Sequence, residues 1–253
     1  MVEISRIIGL DLGSRRTKGV VLENGAVKEH SLFESWSIDR EPISAWVESI
    51  KPHRIGATGY NRRLAQKKFN ATVITEIRAF GLGTALLLPS TRTIIDIGGQ
   101  DAKVIKVDEK GNPVDFEMND RCAAGTGKFF EIAARTLGIP LVQLPQQALA
   151  ATHSENISST CAVFAESEII GKLADGCNPL SLARGIYKSV AERILSMLQR
   201  VGITPPIILV GGGANSCLAI EISNSVGFPI EIPEMGIYFG ATGIALFAEK
   251  ENS

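Results

Sequence analysis

The sequence predicts an α/β protein built from two similar domains, and three observations lead to this prediction. A strand–turn–strand segment occurs twice, and a glycine cluster follows a third apolar strand. The composition is the third observation, with 25 glycines in 253 residues and only 6% aromatic residues. Abundant glycine suits many tight strand-to-helix turns, and it favours a site that uses the backbone rather than aromatic walls.

The repeated segment spans residues 6–23 and 92–108, and each copy is a β-branched run, a D-x-G-x4-K turn and a second β-branched run. The matching positions lie 85 residues apart: Asp11 and Asp96, Gly13 and Gly98, Lys18 and Lys103. The pattern predicts two β-hairpins whose turns bring backbone N–H groups, a carboxylate and a lysine together. The alternative is a chance likeness between two Asp-Gly hairpins.

A third glycine cluster follows the apolar run at residues 207–210 and precedes a predicted helix. Such a turn lets the backbone approach a nucleotide closely, although it also serves as a packing turn. Periodic apolar residues predict helices over 126–138, 162–175 and 186–201, the first two ending at Gly138 and Gly176. The Gln-rich residues 143–155 suggest a further helix with a loose connection.

The repeat also predicts the domain organisation. We place the first domain at residues 1–90 and the second at 91–239, with the boundary near residues 89–92. A final helix near residues 241–249, within the C-terminal segment 240–253, is expected to pack back on the first domain.

Composition excludes several classes of protein. The chain has 26 Lys+Arg and 27 Asp+Glu, a formal net charge of −1, which argues against a nucleic-acid partner. Its apolar runs are shorter than the roughly 18 residues of a membrane span, and charged residues interrupt the one near the N-terminus. Four cysteines without a signal peptide indicate reduced thiols and a cytoplasmic protein. The cysteine spacing contains no C-x-x-C pair, so spacing alone predicts no metal site.

Two such hairpins facing each other would bind the phosphates of a nucleotide from both sides. Backbone N–H groups in both turns can donate to phosphate oxygens: those of Gly13, Ser14, Gly98 and Gly99. Asp11 and Asp96 are candidates to hold Mg²⁺ through water, the alternative being that they only cap their turns. Gln100 is a candidate to orient an attacking water, so these three side chains form the predicted catalytic set.

Other residues around the glycine turns are candidates for nucleotide binding. Thr17 and Lys18 would add a hydroxyl and a positive charge at the phosphates, and the third glycine cluster would hold the adenosine end. The turn at 125–128 is an even choice between nucleotide contact and simple helix entry. The remaining candidates are Arg15, Arg16, Asp101, Lys103, Gly125, Thr126, Gly127, Lys128, Gly211, Gly212, Gly213, Ala214, Asn215 and Gly240.

The hairpin pair and the GGGA turn resemble the actin, heat-shock-chaperone and sugar-kinase superfamily. More narrowly, the chain resembles the ATP-dependent activators of 2-hydroxyacyl-CoA dehydratases and the related benzoyl-CoA reductase ATPase subunits. Three strings carry this resemblance: IIDIGGQDAKVI at 94–105, FEMNDRCAAGTGKFFE at 116–131 and ISSTCAVFAESEII at 157–170. It implies two actin-like, ribonuclease-H-like domains with a nucleotide cleft between them.

The resemblance also implies a metal cofactor. In that family each subunit supplies two cysteines to one [4Fe–4S] cluster shared across a homodimer, and the matching residues are Cys122 and Cys161. Both directly precede predicted helices, whose N-termini favour thiolates and the charge of a reduced cluster. Without the resemblance each would be interpreted as a buried core cysteine. Cys177 and Cys217 match no ligand and are expected to be structural.

The implied function is ATP-dependent reduction of a partner iron–sulfur protein at low potential, with ferredoxin or flavodoxin as the electron donor. ATP and Mg²⁺ would bind and drive domain closure, which would move the cysteine-bearing helices. The partner would be a 2-hydroxyacyl-CoA dehydratase, a benzoyl-CoA reductase-like enzyme or a related two-cluster reductase.

Three departures from the family pattern leave the partner's identity open. Arg15 and Arg16 stand where family members carry threonines. The segment at 76–80 lacks a usual histidine, and the segment at 233–237 lacks a usual glutamine. A small-molecule, sugar-type kinase of the same fold without a cluster is an alternative, as is a non-redox regulatory ATP-binding module. Cluster content separates the activator from both.

Overall fold

The computed structural model describes residues 5–34, 41–120, 122–158 and 161–251, which form two mixed β-sheets with α-helices. The strands are β1 (Arg6–Leu12), β2 (Thr17–Glu23), β3 (Ala26–Phe33), β4 (Arg54–Gly59), β5 (Thr72–Val73), β6 (Thr93–Ile97), β7 (Ala102–Val107), β8 (Pro113–Asn119), β9 (Ile207–Val210) and β10 (Ile230–Glu231). The helices are α1 (Glu41–Ile50), α2 (Arg62–Phe69), α3 (Glu76–Leu87), α4 (Gly127–Leu137), α5 (Leu144–Leu149), α6 (Ala162–Ala174), α7 (Pro179–Val201), α8 (Ser216–Val226) and α9 (Phe239–Lys250). The predicted α/β class is confirmed.

The two sheets repeat one topology. The first has the order β3-β2-β1-β4-β5, and the second has the order β10-β9-β6-β7-β8. In each, a hairpin strand is antiparallel to its neighbour and parallel to a later strand, β1 to β4 and β6 to β9. The register pairs Asp11 with Lys18 and Asp96 with Lys103, so both predicted hairpins form with the same residues opposite each other.

The chain divides into two compact units. Unit 1 comprises the described residues within 1–92, 107–114 and 234–253, and unit 2 comprises those within 93–106 and 115–233. Helix α9 belongs to unit 1, where it packs on α3, β1 and β4. The core of unit 2 lies between its sheet and helices α4, α7 and α8, and in it Phe130 stacks on Tyr187 with ring centroids 4.7 Å apart.

Helix ends follow local chemistry. Helix α4 ends at Gly138 in the left-handed conformation, as predicted, because glycine adopts positive φ without a Cβ clash. Helix α6 ends at Ala174 and its C-terminal cap residue is Asp175, one residue before the predicted cap Gly176. Helix α7 begins well before the predicted residue 186, because Asn178 caps it by accepting from the Leu180 N–H and proline follows at the first helical position.

Residues 143–155 form a short helix followed by a loose connection, as predicted. Only Leu144–Leu149 is helical, and residues 151–158 leave the helix to run along α7, where the Glu155 N–H donates to the Ser181 carbonyl at 3.0 Å. Gly185 makes this approach possible, since a Cβ there would overlap the Glu155 carbonyl oxygen. Within the described part of the chain, no helix combines the length and apolar character needed to cross a membrane.

Candidate functional site

The hairpin of unit 1 presents a buried carboxylate with one open oxygen. Asp11 lies near the end of β1 with its side chain 3% exposed, and its Oδ2 accepts from Lys18 Nζ at 2.9 Å. Its Oδ1 is buried and has no hydrogen-bond partner among the described residues. A buried carboxylate oxygen without a donor is unfavourable, so this atom fits a water molecule or a hydrated cation. Gly240 on α9 lies beside it, since a Cβ there would be 3.5 Å from Asp11 Oδ2.

The N–H groups of Gly13 and Gly98 are bonded within their own hairpin turns. The Gly13 N–H donates to the Arg16 carbonyl at 3.1 Å, and the Gly98 N–H donates to the Asp101 carbonyl at 2.9 Å. These N–H groups close the turns, whereas the sequence led us to expect them to donate to phosphate oxygens. Ser14, partly exposed in the first turn, remains a candidate donor through its backbone N–H, as does Gly99 in the second.

The remaining residues of the first turn separate into exposed and buried groups. Arg15 and Arg16 are exposed, and Arg16 pairs with Glu34 at 3.2 Å. Thr17 is fully buried at the start of β2, so it offers no exposed surface for the phosphate contact that the sequence suggested. Lys18 keeps 15% of its side chain exposed, and its ammonium can therefore serve both Asp11 and a ligand.

In the hairpin of unit 2, the lysine pairs with two carboxylates. Lys103 is 2% exposed, and its Nζ donates to Asp96 Oδ2 at 3.2 Å and to Asp101 Oδ2 at 2.8 Å. Its charge is thus matched inside the protein by two carboxylates, and the ion pairs hold Asp96 and Asp101 in place, whereas the sequence led us to expect a nucleotide contact. Gln100, between the turn glycines and Asp101, is exposed.

The third glycine cluster combines tight packing with one open position. Gly211 has a φ of 91°, and a Cβ there would overlap Asp96 Oδ1. A Cβ on Gly213 would lie 2.5 Å from Ile97 Cγ2, and the Gly213 N–H donates to the Ile97 carbonyl at 2.9 Å. These two glycines let the turn pack on β6. Gly212 is exposed with open space around its Cα, so it is the position where a ligand can approach.

The other two members of this cluster lead into α8. The Ala214 N–H donates to the Gly211 carbonyl at 3.2 Å. Asn215 caps α8, with its side-chain oxygen accepting from the Leu218 N–H at 3.1 Å. Both residues therefore shape the entry to the helix that follows the turn.

The turn at 125–128 leads into α4 and is hydrogen-bonded to the unit 2 hairpin. The Gly127 N–H donates to the Gly98 carbonyl and the Lys128 N–H to the Gly99 carbonyl, each at 2.9 Å. Gly125 and Thr126 are buried, and Thr126 Oγ1 donates to the Ala123 carbonyl at 2.8 Å. The Lys128 ammonium pairs with Glu131 on the surface at 3.2 Å. The hydrogen bonds support the helix-entry interpretation of this turn, and they tie it to the hairpin backbone.

The two candidate metal ligands stand at helix starts in different ways. Cys161 is the N-terminal cap residue of α6, as predicted. Cys122 precedes a single 3₁₀ turn, Ala123–Gly125, and α4 begins only at Gly127, so the expectation that α4 follows it directly was wrong. Both thiols are partly buried and free of disulfides. Sequence reasoning missed Asn119, whose side chain forms hydrogen bonds with the Cys122 backbone. Its only signal in the sequence was its place in the string at 116–131.

The other two cysteines, Cys177 and Cys217, are also partly or fully buried. Cys217 is fully buried in α8, and burial raises the pKa of its thiol to about 12. Cys177 is partly buried beside the N-terminus of α7. Among the described residues there is no group of three or more His, Cys, Asp or Glu side chains that could hold a metal ion. Thiolates are the right donors for an iron–sulfur cluster, but a [4Fe–4S] cluster needs four, so two cysteines per chain fit only a cluster completed by a second copy.

Two mixed sheets of one order, each carrying an Asp–Lys hairpin, define an actin-like α/β protein. The chain belongs to the BadF/BadG/BcrA/BcrD ATPase family, which it matches over residues 8–248. It is 35% identical to the 2-hydroxyisocaproyl-CoA dehydratase activator of Clostridioides difficile, with 96% of this chain and 95% of that protein covered.

Solved structures agree with this assignment. Component A of the (R)-2-hydroxyglutaryl-CoA dehydratase of Acidaminococcus fermentans is 33% identical and superposes with a TM-score of 0.89 over 98% of both chains. The activator of the 2-hydroxyisocaproyl-CoA dehydratase from Clostridium difficile with bound ADPNP is 34% identical, also with a TM-score of 0.89, over 97% of this chain and 95% of that one. The predicted family and the actin-like fold class are both confirmed.

Proposed function

We propose that this protein is an ATP-hydrolysing reductive activator. It works as a homodimer with one bridging [4Fe–4S] cluster and passes low-potential electrons to a partner iron–sulfur enzyme. The partner is a 2-hydroxyacyl-CoA dehydratase, a benzoyl-CoA reductase-like enzyme or a related two-cluster reductase, and ferredoxin or flavodoxin supplies the electrons. Family membership and the activator relatives support the role in activation.

One observation carries the coupling of ATP to electron transfer. The carbonyls of Gly98 and Gly99 accept hydrogen bonds from the N–H groups of Gly127 and Lys128. The turn of the unit 2 hairpin is therefore bonded directly to the first residues of α4, the helix entered through the turn after Cys122. A change in the hairpin turn on nucleotide binding or hydrolysis is transmitted through two backbone hydrogen bonds to the segment that carries a cluster ligand.

The nucleotide site follows from the chemistry of the hairpins. The open oxygen of Asp11 holds a water of hydrated Mg²⁺, and Lys18 offers its partly exposed ammonium to a phosphate. The backbone at Ser14, Gly99 and Gly212 approaches the nucleotide. Gln100, exposed beside the second turn, orients the attacking water. A relative solved with bound ADPNP supports ATP as the nucleotide.

The cysteines serve the second half of the function. Cys122 and Cys161 of two copies of the chain provide the four thiolates of one cluster, which supplies one-electron transfer when bound. Both thiols precede helical turns, where backbone N–H groups carry partial positive charge that stabilises the negative charge of a bound cluster.

The first test is the iron and acid-labile sulfide content, with the native mass, of protein purified without oxygen. We expect about four irons per dimer, lost in Cys122→Ala and in Cys161→Ala. Cys177→Ala is the matched control, because Cys177 is also partly buried but lies outside the proposed ligand set, and it should keep its iron. An iron-free protein after anaerobic reconstitution would overturn the electron-transfer function and direct the search to phosphoryl acceptors.

The second arm separates ATP chemistry from the cluster. Asp96→Asn should retain iron yet lose ATP-dependent reduction of the partner, because we assign Asp96 to the hydrated cation and the amide lacks the negative charge that attracts it. Electron delivery that survives this change would contradict the proposed role of the unit 2 hairpin.

A further inference from the structure

We propose that Asn119 and Glu168 are positioning residues that fix the two cysteine segments before any metal is bound. The proposal rests on the proposed function, in which Cys122 and Cys161 are cluster ligands. Neither residue contributes a ligand itself. Each acts by holding the backbone near one cysteine.

Asn119 binds the backbone on both sides of Cys122. It is the last residue of β8, and its Oδ1 accepts from the Cys122 N–H at 3.1 Å while its Nδ2 donates to the Cys122 carbonyl at 3.0 Å. Two hydrogen bonds to one residue restrict rotation of its backbone, and they set the direction in which its Cα–Cβ bond points. The end of a sheet strand thus fixes the residue that carries the thiol.

The Asn119 amide is itself held by its surroundings. A Cβ on Gly125 would lie 3.3 Å from Asn119 Nδ2, so the 3₁₀ turn that follows Cys122 packs closely over this side chain. The absence of a side chain at Gly125 leaves the room that the amide occupies. Asn119, Cys122 and Gly125 therefore form one compact arrangement at the end of β8.

Glu168 plays the corresponding part for the second cysteine segment. It lies on α6, two turns beyond Cys161, and its Oε1 accepts from the Ser158 N–H at 3.0 Å and from Ser158 Oγ at 3.1 Å. Ser158 lies three residues before Cys161. The carboxylate therefore ties Ser158 to the helix that Cys161 caps, and it limits how far Cys161 can move.

Fixed ligands matter for a cluster shared by two chains. Each thiolate that is already in place avoids an ordering cost when the metal binds, which is the usual effect of groups that support metal ligands. The alternative is that the same hydrogen bonds only stabilise the fold and do not position the thiols. The two interpretations differ in their local consequences, because positioning acts on one thiol at a time whereas destabilisation exposes every thiol of unit 2.

The test is iodoacetamide alkylation of the full-length, metal-free protein, with the rate at each cysteine measured by mass spectrometry of its peptide. Asn119→Ala should raise the rate at Cys122 about tenfold, the effect of losing two hydrogen bonds of ordinary strength, and leave the rate at Cys161 unchanged. Glu168→Ala should do the reverse. Cys177, partly buried in the same unit, is the internal reference for general unfolding.

Conservative variants refine the experiment. Glu168→Gln retains an oxygen that can accept from Ser158, and should restore the native rate at Cys161. Asn119→Asp retains the acceptor for the Cys122 N–H but loses the donor to its carbonyl, so its rate should fall between those of the native protein and Asn119→Ala. After anaerobic reconstitution, the alanine variants should also bind less iron and broaden the electron paramagnetic resonance signal of the reduced cluster.

The outcomes distinguish this proposal from the proposed function. Equal rates at Cys122 and Cys161 in all variants, or a rise that includes Cys177, would overturn the positioning role even if the native protein binds iron. A native protein that binds no iron would overturn the proposed function, whereas the crossed pattern of alkylation would still establish that the two residues hold the cysteine segments.

Discussion

At the scale of single residues, the two hairpins differ where their sequences differ. The position of Arg16 in the first turn corresponds to that of Asp101 in the second, at the same offset as Asp11 and Asp96. Asp101 adds a second carboxylate to Lys103, which is 2% exposed, whereas Lys18, which pairs with Asp11, keeps 15% of its side chain exposed. The repeated motif thus produces one lysine suited to a ligand and one suited to internal charge balance.

This difference predicts opposite effects of removing the two lysines. Lys103→Ala should lower the free energy of unfolding by about 3 kcal/mol, because it leaves two largely buried carboxylates without their cation. Lys18→Ala should cost less stability, because in the ion pairs described it removes the cation from one carboxylate rather than two and opens that carboxylate to water, but it should weaken nucleotide binding. Urea unfolding and ADP titration of both variants measure the two effects. Equal losses of stability would contradict the assignment of different roles.

The sequence predicted the Asp–Lys pairs but not their surroundings. The register of a hairpin follows from alternating strands and a glycine turn, so the Asp11–Lys18 pair could be anticipated. The burial of Lys103 depends on the Asp101 side chain turning back towards it, and no pattern in the sequence reports that direction. The same limit applies to Gly13 and Gly98, whose N–H groups close their own turns.

At the scale of elements, the helices were predicted better than their packing. The helical pattern near residues 241–249 gave α9, but its contact with α3 depends on glycines far apart in the chain. A Cβ on Gly243 would overlap the Ala79 carbonyl oxygen and lie 2.7 Å from the Gly83 nitrogen. Gly83 in turn faces the Phe239 carbonyl. The two helices therefore approach to backbone contact, a relation that sequence periodicity does not encode.

This close packing predicts a strong effect of a single methyl group. Gly243→Ala should destabilise the protein by about 1–3 kcal/mol, because the added carbon forces α3 and α9 apart. Gly171→Ala is the matched control: Gly171 lies in α6 with nothing within 4 Å of an added Cβ, and alanine there should stabilise by about 0.5–1 kcal/mol. Urea denaturation gives both values, and a neutral Gly243→Ala would contradict the packing.

At the scale of the whole molecule, the chain consists of two units with one topology, and their contents differ. Unit 1 holds the hairpin with the open Asp11 oxygen and the α3–α9 pair. Unit 2 holds the second hairpin, the third glycine cluster and all four cysteines. Within unit 2, the hairpin turn is bonded to the start of α4, so a nucleotide bound at that turn acts on α4 directly.

Hydrogen–deuterium exchange tests nucleotide binding at each hairpin separately. With ADP and Mg²⁺ at about 100 times the dissociation constant, amide exchange governed by local opening should slow by about a hundredfold in segments 11–18 and 96–103. Residues 141–149, outside the proposed site, serve as the reference segment. Asp11→Asn at the same ligand concentrations should reduce the protection of segment 11–18, because the open carboxylate oxygen is lost. Absence of protection in segment 96–103 would contradict nucleotide binding at the unit 2 hairpin, and the proposed coupling would then need a different origin.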